Sequence, residues 1–303
     1  MLRRERKSLK DHKPINYWKS EYIGRILVTL CGLLIVLTTM AIIVFITGKG
    51  IQSFTSSNIS LVDMLTTTDW NPSEGKYGAL IFIIGSILVS LGAILISAPI
   101  AIALAIFMNY IAPKFGKSVL QPVLELLVGI PSVVYGLLGV TLLVPFLRDT
   151  FGGVGFSLAA GIIVLSIMIL PTIATLATDA LKNVPHQLLE ASYGLGSTRW
   201  QAISRVIIPA AKNGIFTGIV LGLARAFGEA LAVQMVIGNT IKLPGALTDP
   251  TATLTGILTM DMSNTLNGTA WNNALWSLAL ILLFMSFLFI LIIRFIGNRG
   301  AQK

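Results

Sequence analysis

Apolar residues gather along this chain into six long runs, at approximately 26–46, 78–110, 119–147, 154–178, 214–238 and 273–293. A hydrocarbon core about 30 Å thick needs about 20 residues of helix, so each run predicts a membrane-crossing helix. The first follows basic residues as a secretory leader does. It is longer than a leader's apolar region and has no small-residue cleavage site at its end, so it reads as a retained helix. The second run, of roughly 33 residues, exceeds a straight crossing, and Pro99 is expected to kink it or to begin an extension. The stretches 47–77 and 239–272, rich in Thr, Asn, Asp and Gly, are too short to be ligand-binding domains.

Composition agrees with the pattern. Hydrophobic residues make up 54% and charged residues 12%, with a mean hydropathy of +0.83. A soluble domain carries about 25% charged residues, so this chain cannot be wetted on all sides. The fold class predicted is all-α, a polytopic membrane protein with six transmembrane helices. Cys31, the single cysteine, lies in an apolar run and excludes a disulfide framework. His12 and His186 are far apart and leave no transition-metal site of the His/Cys type, so no metal is expected.

The formal net charge of +9 would fit a nucleic-acid partner were it not for where the cations sit. Lys49, Lys76, Arg148 and Lys242 occupy one set of connections, and Arg225 lies within a run. All other Lys and Arg flank the opposite ends, which places both termini in the cytoplasm and makes the charge an orientation signal. No nucleic-acid partner is expected. The segment Arg3 to Lys19 can also attract anionic membrane lipid. The chain is thus organised as a basic segment 1–25, a first helix with its outward loop 26–77, a core 78–296 with a cytoplasmic loop at 182–211, and a tail 297–303.

On the fifth run Gly214, Gly218, Gly222, Arg225 and Glu229 fall within an arc of about 80° of an unbroken helix. Small residues at this spacing let helix backbones approach closely in lipid. Packing alone accounts for the glycines but not for the charges. The third run repeats the pattern with Glu125, Gly129, Ser132, Gly136 and Gly139, provided that the helix continues through Pro131. Ser86, Ser90, Ala93 and Ser97 make a milder stripe on the second.

Arg225 falls near mid-membrane, where a charge costs about 2.5–3.5 kcal/mol on insertion scales. One reading is an ion pair with Glu229 that only fixes helix register. The other is a pathway site. Arginine does not lose its proton and is a poor proton relay, but its planar fork suits an oxyanion such as phosphate. Glu229 would then neutralise Arg225 between transport events and let the anion leave. Glu125 lies closer to the cytoplasmic side, where it either joins the pathway or reaches out to water.

Between the fourth and fifth runs stand Glu190-Ala191-Ser192, then Gly196, then Val206-Ile207-Ile208-Pro209. Residues 188–194 can form a short helix, Gly196 a turn, and 200–208 a second helix. An ordinary amphipathic connection is the plain alternative. The motif resembles the EAA loop of ABC importer permeases: EAA, three residues, Gly, nine residues, I-x-L-P. The spacing is matched throughout, with Ser192 in place of Ala, Val206 of Ile and Ile208 of Leu. The resemblance implies a type I, MetI-like fold in which Glu190, Ala191, Ser192, Gly196 and Pro209 couple to an ATPase subunit.

Residues 124–136, LELLVGIPSVVYG, and 224–239, ARAFGEALAVQMVIGN, together with Asp69-Trp70-Asn71-Pro72 and Tyr77-Gly78-Ala79-Leu80, are similar to PstC-type permeases of phosphate-specific importers. That resemblance covers nearly the whole chain from the first run onward. It implies a bacterial cell-membrane subunit paired with a PstA-type permease, two ATPase subunits and an extracytoplasmic phosphate-binding protein. No cofactor is expected in this chain, with ATP and Mg on the partner ATPase. Gly116-Lys117-Ser118 mimics the end of a phosphate-binding loop, but Ile111 stands where its first glycine is required. No Ser/His/Asp or Cys/His arrangement argues for an enzyme. The alternatives are an importer of another oxyanion such as sulfate or molybdate, or of a different solute on the same scaffold. A gradient-driven transporter or channel is the alternative from another class.

Overall fold

A computed structural model of the chain describes residues 17–57 and 59–299. The basic positions from Arg3 to Lys13, His12 and residues 300–303 of the expected tail lie outside the described residues. The fold divides between Lys49 and Gly50 into two units. The described part of the first belongs to helix α1 (Tyr17–Ser56), which extends the predicted crossing at both ends. Val28, Leu34, Val36 and Val44 are all exposed along it, the character of a helix solvated by lipid.

The second unit begins with the last turns of α1. Ser53 and Ser277 share a short hydroxyl contact, and the Ser277 hydroxyl donates to the Gly50 carbonyl at 2.5 Å. Helix α2 (Leu61–Thr66) follows, its first turn capped by the Ser60 hydroxyl. A small antiparallel hairpin, β1 (Trp70–Asn71) and β2 (Lys76–Tyr77), sets the Trp70 ring edge-on against Tyr77 and Phe82.

The centre of the unit is the pair α3 (Leu80–Ile106) and α6 (Leu158–Lys182). Leu165, Met168, Ile169 and Ile173 of α6 are fully buried. Helix α3 runs on through Pro99 and ends in a π turn at Phe107–Ile111. The Ser166 hydroxyl bonds the carbonyls of Ile162 on its own helix, at 2.6 Å, and Ala93 of α3, at 3.3 Å. Burial against neighbouring protein therefore falls on α3 and α6, whereas the outer helices turn Leu, Ile and Phe side chains to lipid.

Two predicted crossings are interrupted. The third splits into α4 (Gln121–Gly129) and α5 (Ser132–Phe151), with Ile130 and Pro131 extended between them. Pro131 has no N–H and disfavours helical geometry at the residue before it, so the helix stops there. The arc expected of Glu125, Gly129, Ser132, Gly136 and Gly139 is therefore split between two helices. The fifth crossing is α8 (Arg199–Gly228), displaced toward the preceding loop from the predicted 214–238. Glu229 follows in extended geometry (φ −76°, ψ 127°), and a separate helix α9 runs over Leu231–Ile237.

Helix α7 (His186–Gly194) precedes α8, and α10 (Leu254–Asp261), capped by the Thr253 hydroxyl, precedes α11 (Ala270–Arg299). Among the described residues six helices are long and apolar enough to cross a membrane. The chain is an all-α, multi-pass membrane protein.

Candidate functional site

The glycines of α8 set its distance from α6. A Cβ on Gly214 would stand 2.4 Å from Ala180 Cβ, one on Gly218 3.1 Å from Leu176 Cβ, and one on Gly222 2.6 Å from Ile173 Cγ1. The nearest contact of each lies on α6, so the small-residue face is the seam between these helices. Arg225 lies at the end of that seam and donates from Nη1 to the Thr172 hydroxyl of α6 at 2.8 Å.

The expected Arg225–Glu229 pair does not form. Among the described residues no carboxylate lies within ion-pair distance of Arg225. The helix ends between the two residues, and Glu229 serves the next element instead. Its Oε1 accepts the Ala232 N–H at 3.1 Å in the first turn of α9, and its carbonyl accepts the Thr255 hydroxyl at 2.9 Å. Arg225 is left half-buried with a neutral hydroxyl as its partner. A guanidinium has five N–H donors, so most remain for an anion.

The two interruptions adjoin. A Cβ on Gly136, in α5, would stand 3.1 Å from the Ala232 Cα and 2.6 Å from the Met235 sulfur, both of α9. The Tyr135 hydroxyl reaches back across the α4–α5 break to the Leu127 carbonyl at 2.9 Å, within electrostatic reach of Arg225. Non-helical backbone at membrane depth is tolerated where protein buries it or water reaches it. Here Tyr135, Glu229 and Thr255 hold the backbone groups that the breaks set free. Thr172 and Thr255 carry no sequence signal of their own, and Tyr135, although it stands in the 124–136 motif, has nothing in the sequence to assign it to this cluster.

Glu125 is elsewhere. It is exposed and accepts from Gln121 Nε2 at 3.1 Å, while Gln121 Oε1 accepts from Lys182 at 3.3 Å. Lys182 closes α6 ten residues beyond Thr172, about 15 Å along that helix. The structure therefore does not bring Glu125 together with Arg225.

The loop forms the expected helix pair. Gly196 turns the chain at φ +81°, which a residue with a Cβ adopts only at a cost. The Ser192 and Ser197 hydroxyls meet at 2.5 Å across that turn, and Thr198 with Gln201 makes a reciprocal capping box for α8. Glu190, Ala191 and Pro209 are exposed, whereas Ser192 is buried. Leu188, Leu195, Gln201 and Arg205 border a groove of about 460 Å³. Leu195 is 90% exposed at the turn and Trp200 63% in the first turn of α8, so this end of the bundle carries exposed apolar surface. Ile203, Ile207 and Leu189 pack with Ala177 and Leu181 of α6, which anchors this helix pair to the bundle.

The chain is 54% identical over 282 residues to the probable ABC transporter permease protein YqgH of Bacillus subtilis, covering 92% of this chain and 91% of that protein. It is 34% identical to the phosphate transport system permease protein PstC of Mesorhizobium japonicum, over 85% and 86% of the two chains. With PstC of Xylella fastidiosa the identity is 31%, over 94% and 93%. Among solved structures it resembles a chain of a bacterial ABC transporter involved in the import of the acidic polysaccharide alginate. The TM-score is 0.63 at 17% identity, covering 93% of this chain and 98% of that one. A chain of the inward-facing MetNI methionine ABC transporter gives a TM-score of 0.53 at 21% identity, over 72% and 90%. These likenesses give the fold, that of ABC importer permeases, and residues 99–300 match the family described as binding-protein-dependent transport system inner membrane component. This chain, with six membrane-length helices among its described residues, belongs to that family of cell-membrane permeases.

Proposed function

We propose that this chain is the permease subunit forming half of the translocation pathway of an ATP-driven importer of inorganic phosphate. The observation that carries the reading is Arg225, a permanent cation at a helix break with a neutral hydroxyl as its partner. Relatives named as phosphate permeases, at 31–34% identity over most of their length, support phosphate over other oxyanions. The other half is a PstA-type permease. An extracytoplasmic phosphate-binding protein delivers the anion, and two ATPase subunits carry ATP and Mg. The α7–α8 pair, with Glu190, Ala191, Ser192, Gly196 and Pro209, is the ATPase contact, which puts that end of the bundle and both termini in the cytoplasm. A gradient-driven transporter or channel has no use for such a helix pair, and family membership supports the importer reading over that alternative.

The chemistry asked of Arg225 is modest. It offers N–H donors to a passing oxyanion, and Thr172 orients the fork without neutralising it. Each charge-assisted hydrogen bond contributes about 1.5–3 kcal/mol. Losing one in Arg225→Gln therefore lowers uptake about tenfold or more, with the protein still in the membrane. Uptake of labelled phosphate and, separately, sulfate is measured in cells lacking this chain and resupplied with it or the variant. Restoration of sulfate uptake alone, or full phosphate uptake by Arg225→Gln, refutes the proposal.

A further inference from the structure

A cleft of about 150 Å³ opens at the end of the bundle that carries the α7–α8 pair, remote from Arg225. It is bordered by Asn109, Gly116, Lys117, Gln121, Thr178 and Lys182. Two π turns, Phe107–Ile111 and Gly116–Leu120, form one wall, an irregularity found often at functional sites. Gly116 makes their approach possible, since a Cβ there would stand 2.6 Å from the Met108 carbonyl. The shape of the wall is thus fixed by backbone.

The lining is rich in donors, and no carboxylate borders it. Glu125 reaches only as far as Gln121, which stands between it and Lys182. Lys117 makes no ion pair among the described residues. Asn109 is already bonded, giving its amide to the carbonyls of Ala105 at 2.8 Å and Thr178 at 3.4 Å. The Thr178 hydroxyl differs. It is on a residue only 3% exposed and has no hydrogen-bond partner among the described residues. Buried hydroxyls are nearly always bonded, so an orphan in the wall of a cationic cleft calls for an acceptor. A water takes about 30 Å³ in the liquid, so the cleft has room for about five heavy atoms, the number in a phosphate.

We propose that this cleft is a second anion site, which takes a phosphoryl oxyanion between Lys117 and Lys182 with the Thr178 hydroxyl as a further donor. Inorganic phosphate and the phosphoryl group of a lipid headgroup share the required chemistry. Lys182 is the last residue of α6, and α7 begins at His186. Occupancy therefore ties the Gly116–Leu120 turn to the connection that carries Glu190.

The full-length chain is reconstituted in nanodiscs of neutral lipid without phosphate, in the Arg225→Gln background so that binding at that residue is removed. Inorganic phosphate is titrated by calorimetry. A parallel preparation with phosphatidylglycerol is assayed by native mass spectrometry for retained lipid. If free phosphate is the ligand, Lys117→Gln with Lys182→Gln weakens its binding at least about tenfold, and Thr178→Val weakens it less. If the headgroup is the ligand, the same pair loses the retained anionic lipid instead. The Lys117→Arg, Lys182→Arg pair keeps binding in either assay, which separates loss of charge from loss of fold. The proposal is overturned if the Gln pair matches its parent in both assays, or if the Arg pair loses binding as the Gln pair does. Neither result bears on phosphate uptake, so the transport reading is judged separately.

Discussion

Gly214 offers the sharpest test of how the bundle is held together. Its Cβ in Gly214→Ala would lie 2.4 Å from Ala180 Cβ and 3.3 Å from Ala180 Cα. Carbon atoms rest at about 3.5–4.0 Å, so the shortfall at the Cβ contact is over 1 Å. Alanine has no rotamer to turn away, and the whole of α8 must move from α6. That movement also loosens Gly218 against Leu176 and Gly222 against Ile173. Overpacking of this kind costs about 1–3 kcal/mol, against which the better helix propensity of alanine returns up to about 1 kcal/mol. A net loss of up to about 2 kcal/mol follows, read as a fall of a few °C in the unfolding temperature of the purified protein. Uptake falls as well, because α8 carries both Arg225 and the loop. Exchanging the methyl groups, Gly214→Ala with Ala180→Gly, removes the clash at equal propensity and restores both readouts. Gly129→Ala, with no neighbour within 4 Å, is the neutral control. Wild-type stability in Gly214→Ala, or no rescue by Ala180→Gly, would show that the glycine seam does not set the helix distance.

Three further outcomes follow from other parts of the molecule. Glu229→Ala removes the acceptor for Ala232 N–H and should cost about 0.5–2 kcal/mol. Glu229→Gln keeps an oxygen there and should unfold near the wild-type temperature; equal losses in both would refute the capping role. Leu195→Asp, at the exposed turn between α7 and α8, should leave the unfolding temperature unchanged yet abolish co-purification with the ATPase, and undiminished recovery counts against this docking face. Burial pushes the Asp261 carboxyl above its ordinary value of 3.8, with Trp70 and Trp271 beside it only partly opposing. Its contribution to stability is present below the unfolded value and is lost as pH rises through the folded one. Asp261→Asn should therefore gain in unfolding temperature relative to wild type as pH goes from about 4 to 7. A relative loss over that range refutes the assignment.

The amino-acid sequence alone determined the number of crossings, because six apolar runs have no stable alternative to membrane helices. It also determined the loop, since Gly196 and the Thr198–Gln201 cap are local signals that need no distant partner. Pro131 announced that its helix could stop, being a local steric fact. What the tertiary structure decided is the fate of the charges. The helix end after Gly228 has no proline to mark it, and it moved Glu229 from Arg225 to the N–H of Ala232. The partner of Arg225 is Thr172, 53 residues away in sequence and recognisable only once α6 and α8 meet along their glycines. Spacing places residues on a face only while the helix is unbroken, and which face meets which is settled by packing between elements far apart in the chain.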